Sequence, residues 1–267
     1  MRFLNFSLTL QLVVVFLFII FIPTLVSAQE SAGVGVKPAL IEDKLELSES
    51  KGYSIEITNL GVLDQTFYLS KRDIIGVLEG GVPIFADRNS EITGFELSDW
   101  ITLEKNSVFI PVGQKEKVNF ILEVPTETSP GSHFGSILVS VEPPEIRSSG
   151  ASIGYEVANI ISIRIAGDIM ESAQIRQFST GKYFHSGVNV DFTTRIENEG
   201  NTLIRPVGIV EINNMFGKNV TTLNFNESQA GVFPKSKINP EKASGIRSFN
   251  FKWEEDSPGF GRYQAIL

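Results

Sequence analysis

A chain of 267 residues with 42% hydrophobic side chains has the apolar content for one large core or two ordinary ones, which excludes a disordered polypeptide. Its 31 acidic residues outweigh 23 basic ones for a net charge of −8, and such a surface excludes nucleic acid, whose phosphates demand clustered Lys and Arg. The absence of cysteine excludes disulfides, thiolate metal sites and thiol catalysis, leaving the hydrophobic cores alone to hold the fold.

Residues 1–28 read as an export signal. Arg2 is the positive end, an unbroken apolar run spans Leu12 to Ile22, and Pro23 interrupts it before the small-residue cleavage site Val26-Ser27-Ala28. Cleavage after Ala28 removes Arg2 and takes the net charge from −8 to −9. The alternative is an uncleaved membrane anchor, because Leu8 to Val26 approaches the ~18 to 20 residues that cross hydrocarbon.

Residues 29–168 read as a first domain of short strands. "SIEITNLG" alternates Ile55 and Ile57 with Glu56 and Thr58 and turns at Asn59 to Gly61, and "QTFYLSK" alternates Phe67 and Leu69 with Tyr68 and Ser70. "KVNFILEVP" places Val118, Phe120, Leu122 and Val124 on one face. Pro130 fixes its own φ and Gly131 tolerates φ > 0, so Ser129-Pro130-Gly131 is a turn that launches Ile137, Val139 and Val141 toward the core. Beyond the break at "EPPEIRSSG", Ile161, Ile163 and Ile165 alternate with Ser162, Arg164 and Ala166.

Residues 169–267 repeat the scheme. Ile196-Glu197-Asn198-Glu199-Gly200 matches Ile57-Thr58-Asn59-Leu60-Gly61, and Ser257-Pro258-Gly259 repeats the earlier corner. "RSFNFKWEE" sets Phe249, Phe251 and Trp253 on one face. Many short strands, Gly/Pro/Asn turns and no amphipathic helical period predict an all-β chain of two tandem antiparallel sandwiches. The second copy stops inside its last strand, so this domain is expected to lack its closing strand; a truncated chain is the plainest reading, with a strand supplied by another chain or a tolerated open edge as alternatives.

The chemistry-bearing candidates are sparse. Gly150-Ala151-Ser152-Ile153-Gly154 matches the nucleophile-elbow pattern with Asp168 and His185 following in order, but that pattern needs strand, strained turn and helix, and here a Pro/Ser-rich loop leads into another strand. His133 and His185 have no partner histidine at helical spacing and read as loop or rim residues. Glu254-Glu255-Asp256 reads as a solvated acidic turn, not a calcium loop. Gly33-Val34-Gly35 lacks the third glycine and the helix that would cradle a phosphate. Asn219 and Asn226 head glycosylation sequons, which matter only in a host that modifies them. Trp253 reads as a core anchor, Trp100 as core or sugar-stacking platform, and Tyr263 as a tyrosine corner tying a loop to the sheet. No catalytic, cofactor or metal residue is expected.

"GVGVKPALIE", "ITNLG", "DWITL" and "VPTETSPGSHFGSILV" in the first domain, with "IENEGNTLIRPVG", "MFGKNV", "VFPKSK" and "FKWEEDSPGFGRYQAIL" in the second, give the chain a resemblance to exported bacterial two-domain proteins related to the WxL-interacting surface proteins. The resemblance implies an Ig-like first domain that contacts peptidoglycan, an Ig-like second domain that binds other surface or host proteins, and a membrane helix beyond Leu267. No binding residue carries over, because the matched positions belong to turns and cores. The expected function is non-enzymatic adhesion or scaffolding at the cell envelope, with cell wall or other surface proteins as partners. The alternative is a periplasmic or extracytoplasmic chaperone-like protein acting by β-strand addition, for which "IISIRIA" around Ile163 is the candidate segment.

Overall fold

The computed structural model describes residues 33–87, 92–143, 156–185, 189–254 and 261–267. The leader, the Ser152 elbow and the second Ser-Pro-Gly corner lie outside the described residues, as do Glu255 and Asp256. What is described is all-β, apart from one turn of 3-10 helix at Ser98–Trp100, and none of its helices is long and apolar enough to cross a membrane.

The first sandwich opposes two sheets. One has the order β1 (Val34–Lys37), β3 (Ser50–Asn59), β8 (Lys115–Glu123), β6 (Ile101–Leu103). The other runs β2 (Leu40–Leu45), β10 (Glu156–Ile165), β9 (Gly131–Ser140), β4 (Gln65–Val77), β5 (Pro83–Phe85), with β7 (Ser107–Ile110) also on β4. Strand alternation builds the core: Ile55, Ile57, Val118, Phe120 and Leu122 from one sheet meet Phe67, Leu69, Ile137, Val139, Ile161, Ile163 and Ile165 from the other. Each such side chain contributes about 1.5–3 kcal/mol on burial.

One pairing departs from the antiparallel expectation. The chain switches sheets between Lys37 and Leu40, so β2 runs alongside β10 in the same direction, with Lys44 opposite Arg164 and Glu42 opposite Ser162. Residues Ile160–Ile165 are therefore paired on both sides, by β2 and β9. The "IISIRIA" segment is not a free edge, and Ile163 is 0% exposed, so Ile163→Asp would unfold the sandwich instead of testing strand addition.

The second sandwich has three strands per sheet, β11 (Ala173–Thr180), β12 (Val190–Asn198), β15 (Ile246–Trp253) against β14 (Asn219–Phe225), β13 (Gly208–Asn214), β16 (Tyr263–Ile266). Phe192, Ile196, Val210, Ile212, Phe225, Phe249 and Trp253 form its core. Among the described residues no strand pairs with the outer edge of β16.

The internal repeat has a physical purpose. Asn59, 1% exposed, donates from Nδ2 to Leu63 O (2.9 Å) and Ile110 O (2.8 Å) and accepts at Oδ1 from Gly61 N (2.9 Å). Asn198, 0% exposed, donates to Thr202 O (2.8 Å) and Val232 O (2.9 Å) and accepts from Gly200 N (2.9 Å). Each sandwich thus satisfies the buried backbone of the same corner with one carboxamide.

Candidate functional site: the cleft between the sandwiches

Strand β9 is buried on both faces, because its outer face receives the second sandwich. Gly131 has φ +127° and a Cβ there would lie 2.2 Å from Asn201 O, so the Ser-Pro-Gly corner of the first domain is a docking point as well as a turn. Ser132 N donates to Asn201 O (2.9 Å), Leu203 N donates to Ser132 Oγ (2.9 Å), and the hydroxyls of Ser132 and Thr202 are 2.9 Å apart and buried. Further along, Phe134 packs on Phe233 with ring centroids 4.1 Å apart and Ser236 Oγ donates to Thr93 O (2.6 Å). Glu79 binds Arg195 and Ser248, and the Arg195 contact holds its carboxyl below the usual carboxylate range. Contacts this varied set the two sandwiches at a fixed angle.

That angle leaves a polar cleft of about 390 Å³ on the other side of Ser132. Its floor is the outer face of the first sandwich, where the ladder aligns Lys44, Arg164 and Ser132 across β2, β10 and β9, and Glu42 with Ser162 in the row beside them. Thr202, Leu203 and Arg205 form the facing wall. Arg205 forms an ion pair with Glu42 across the cleft, and Arg164 Nη1 lies 2.8 Å from a carboxylate oxygen of Glu171. Lys44 has no ion-pair partner among the described residues. Like charges directly opposite on neighbouring strands destabilise a sheet, and here Glu171 offsets the charge of Arg164 while that of Lys44 is left facing the cleft. Asp43 belongs to a different group: burial raises its pKa, but hydrogen bonds from Lys51 and Tyr53 prevail and lower it. The outer edge of β2 has no strand partner among the described residues, so the cleft runs along a free edge.

The residues singled out from sequence are scattered. Asp168 lies in the connection before β11, where its carbonyl accepts from Asn201 Nδ2 (2.8 Å), while His185 lies exposed beyond the far end of β11, bonded to Lys182 O (2.9 Å). A strand of eight residues, roughly 23 Å, stands between them. His133 is not a rim residue: it lies within β9, 5% exposed, its ring 4.7 Å from that of Trp100 and its Nε2 2.9 Å from Ser129 O. Burial lowers its pKa, although the Ser129 and Glu96 carbonyls pull the other way. Trp100 is half-buried against the first core, and Trp253 is a core residue at 3% exposure. Tyr263 packs edge-on against Trp253 at the end of the second core, and the segment just upstream to which a tyrosine corner would bond lies outside the described residues. Glu254 pairs with Lys252, Gly33-Val34-Gly35 leads into β1, and the Asn226 carboxamide is engaged with Pro206 O and Ala230. Asn219 opens β14 and is exposed.

Sequence reasoning missed Lys44 and Arg164. The available signal was a cation inside each alternating run, and only the pairing of two segments far apart in sequence makes them neighbours.

No family model and no curated protein matches the chain. Among solved structures it is similar to the class 5 fimbriae chaperone CfaA (12% identity, TM-score 0.40, 88% of this chain and 98% of that one). It is also similar to the chaperone DraB of E. coli (10%, 0.41, 88% and 97%) and to the YadV chaperone (9%, 0.41, 87% and 90%).

Proposed function

We propose that this protein is a non-enzymatic, extracytoplasmic binding module of the chaperone-like kind. It holds an extended segment of another exported polypeptide by strand addition at the free edge of β2, with that segment's terminal carboxylate seated between Lys44 and Arg164. The observation that carries the reading is the in-register Lys44/Arg164 pair on the floor of the interdomain cleft. Two cations held at one height on adjacent strands, beside the hydroxyls of Ser132, Ser162 and Thr202, suit a carboxylate better than any neutral group. Arg2 and the apolar run after it support export, and the separation of Asp168 from His185 by the length of β11 supports a role without bond-making.

The test is peptide binding by calorimetry at low and physiological salt. Alternating apolar peptides with a free C-terminus should bind, and their C-terminally amidated forms should bind at least tenfold more weakly. The Lys44→Glu/Arg164→Glu chain should show the same loss with an unchanged melting temperature, because both side chains lie on the outer face of the sheet. Equal affinity for acid and amide forms would overturn the carboxylate seat. Retention on purified cell wall that is indifferent to the double substitution would favour adhesion to the wall instead.

A further inference from the structure

Among the described residues, the two sheets of the second sandwich do not close on one side. Among these residues β11 borders one sheet and pairs only with β12, while β16 borders the other and pairs only with β13. Two cavities open between these edges. One, of about 380 Å³, lies among Ala173, Ile175, Ile196, Ile209, Phe225 and Leu267; the other, of about 680 Å³, among Thr180, Phe192, Ile212, Trp253, Tyr263 and Ala265. Since β11 enters the first with Ala173 and the second with Thr180, they mark the ends of a single seam roughly 23 Å long, the span of about seven extended residues.

The seam has the chemistry of a missing strand. β16 turns Tyr263, Ala265 and Leu267 inward, and the small Ala265 in the middle leaves room beside Ile212. Ile175 and Ile209 are each 49% exposed at the first cavity. Trp253 borders the second cavity, and its buried Nε1 has no hydrogen-bond acceptor among the described residues. Lys182, His185 and Arg262 line that same end, and neither Lys182 nor Arg262 forms an ion pair with a described residue. In a chain of net charge −8 this is a local surplus of positive charge at one end of an apolar slot.

We infer that the seam between β11 and β16 accepts an extended segment of a partner protein, about seven residues long and antiparallel to β16, with apolar side chains at alternate positions and an acidic residue at its C-terminal end. The unpaired edge of β16 calls for backbone donors and acceptors, which a lipid or small apolar molecule does not supply. Alternation follows from the pleat, since every second side chain of an added strand enters between the sheets. Polarity follows from direction: β16 runs from the cationic cavity at Tyr263 toward Leu267, so an antiparallel guest ends at Lys182 and Arg262. This acceptor is separate from the cleft of the first sandwich and makes its own demand on sequence.

The probe is an acetylated octapeptide that alternates serine with valine and ends in two glutamates, added to the full chain carrying Trp100→Phe, so that the remaining Trp253 reports binding. Binding should slow hydrogen exchange at the Ala265 and Leu267 amides, which face away from β13, at least tenfold. The Lys182→Glu/Arg262→Glu chain should bind at least tenfold more weakly, as should a peptide ending in two lysines against the unaltered chain. The Lys44→Glu/Arg164→Glu chain should keep full protection of β16, which separates this site from the cleft. Unchanged exchange in β16, or equal binding of a peptide with its valines contiguous, would overturn the inference. So would a chain extended past Leu267 whose own residues already protect β16 before peptide is added.

Discussion

Replacing Asn198 with alanine removes three hydrogen bonds at once from a site with no access to water. Thr202 O and Val232 O lose donors at 2.8 and 2.9 Å, and Gly200 N loses an acceptor at 2.9 Å. A neutral buried hydrogen bond contributes about 1 kcal/mol net, and stranding its partner without solvent raises the cost toward 1–3 kcal/mol. The expected loss is about 3–4 kcal/mol, a large share of the ~5–15 kcal/mol that stabilises a domain. The chain's two tryptophans, one per sandwich, allow the loss to be localised: Trp253 belongs to the second core and Trp100 packs on the first. In a Trp100→Phe background, urea unfolding followed at Trp253 should show the full loss. Asn59→Ala in a Trp253→Phe background should show a similar loss at Trp100, because Asn59 makes the matching three bonds. A loss below about 1 kcal/mol at either position would refute the claim that these carboxamides hold the corners, since it would mean that the freed groups find other partners.

Gly131→Ala should loosen the two sandwiches from each other, because its Cβ meets Asn201 O at 2.2 Å and its φ of +127° disfavours any side chain; the expected cost is at least about 1–3 kcal/mol, with faster proteolysis in the 167–172 connection, and unchanged cleavage there would contradict the docking role. His133 predicts an acid-sensitive first sandwich. Its pKa is lowered in the folded state, so its contribution is full above its unfolded value of about 6.5 and is lost as pH falls from there through the depressed folded value. His133→Gln should flatten melting temperature against pH over that window, and a variant that retains the full slope would place the sensitivity elsewhere.

The core was legible in the sequence because strand alternation is a local signal. Ile55, Phe67, Val118, Phe120, Ile137 and Ile163 announce their faces within windows of a few residues, and each is buried. The corner asparagines were legible as a repeat, although the repeat did not say that the side chain would reach carbonyls both four and many residues away. His133 was misread for a related reason. A polar residue just after a Pro-Gly turn looks like surface when only its own strand is considered, but His133 shares the inner face of β9 with Ile137 and Val139, opposite Ile163, and Trp100 from a distant segment covers it.

The same logic explains why the cleft could not be read from the chain. Lys44 and Arg164 occupy the solvent face of alternating strands, where a charged residue is unremarked on its own. Their meaning comes from pairing, and parallel pairing between the second strand and the tenth follows from the switch between sheets near Pro38, which no local pattern encodes. A function that resides in register should tolerate substitutions that respect register. Exchanging the two cations, as Lys44→Arg with Arg164→Lys, should preserve carboxylate binding within severalfold, whereas moving the charge one position to Leu45 would direct it into the core and remove both binding and fold.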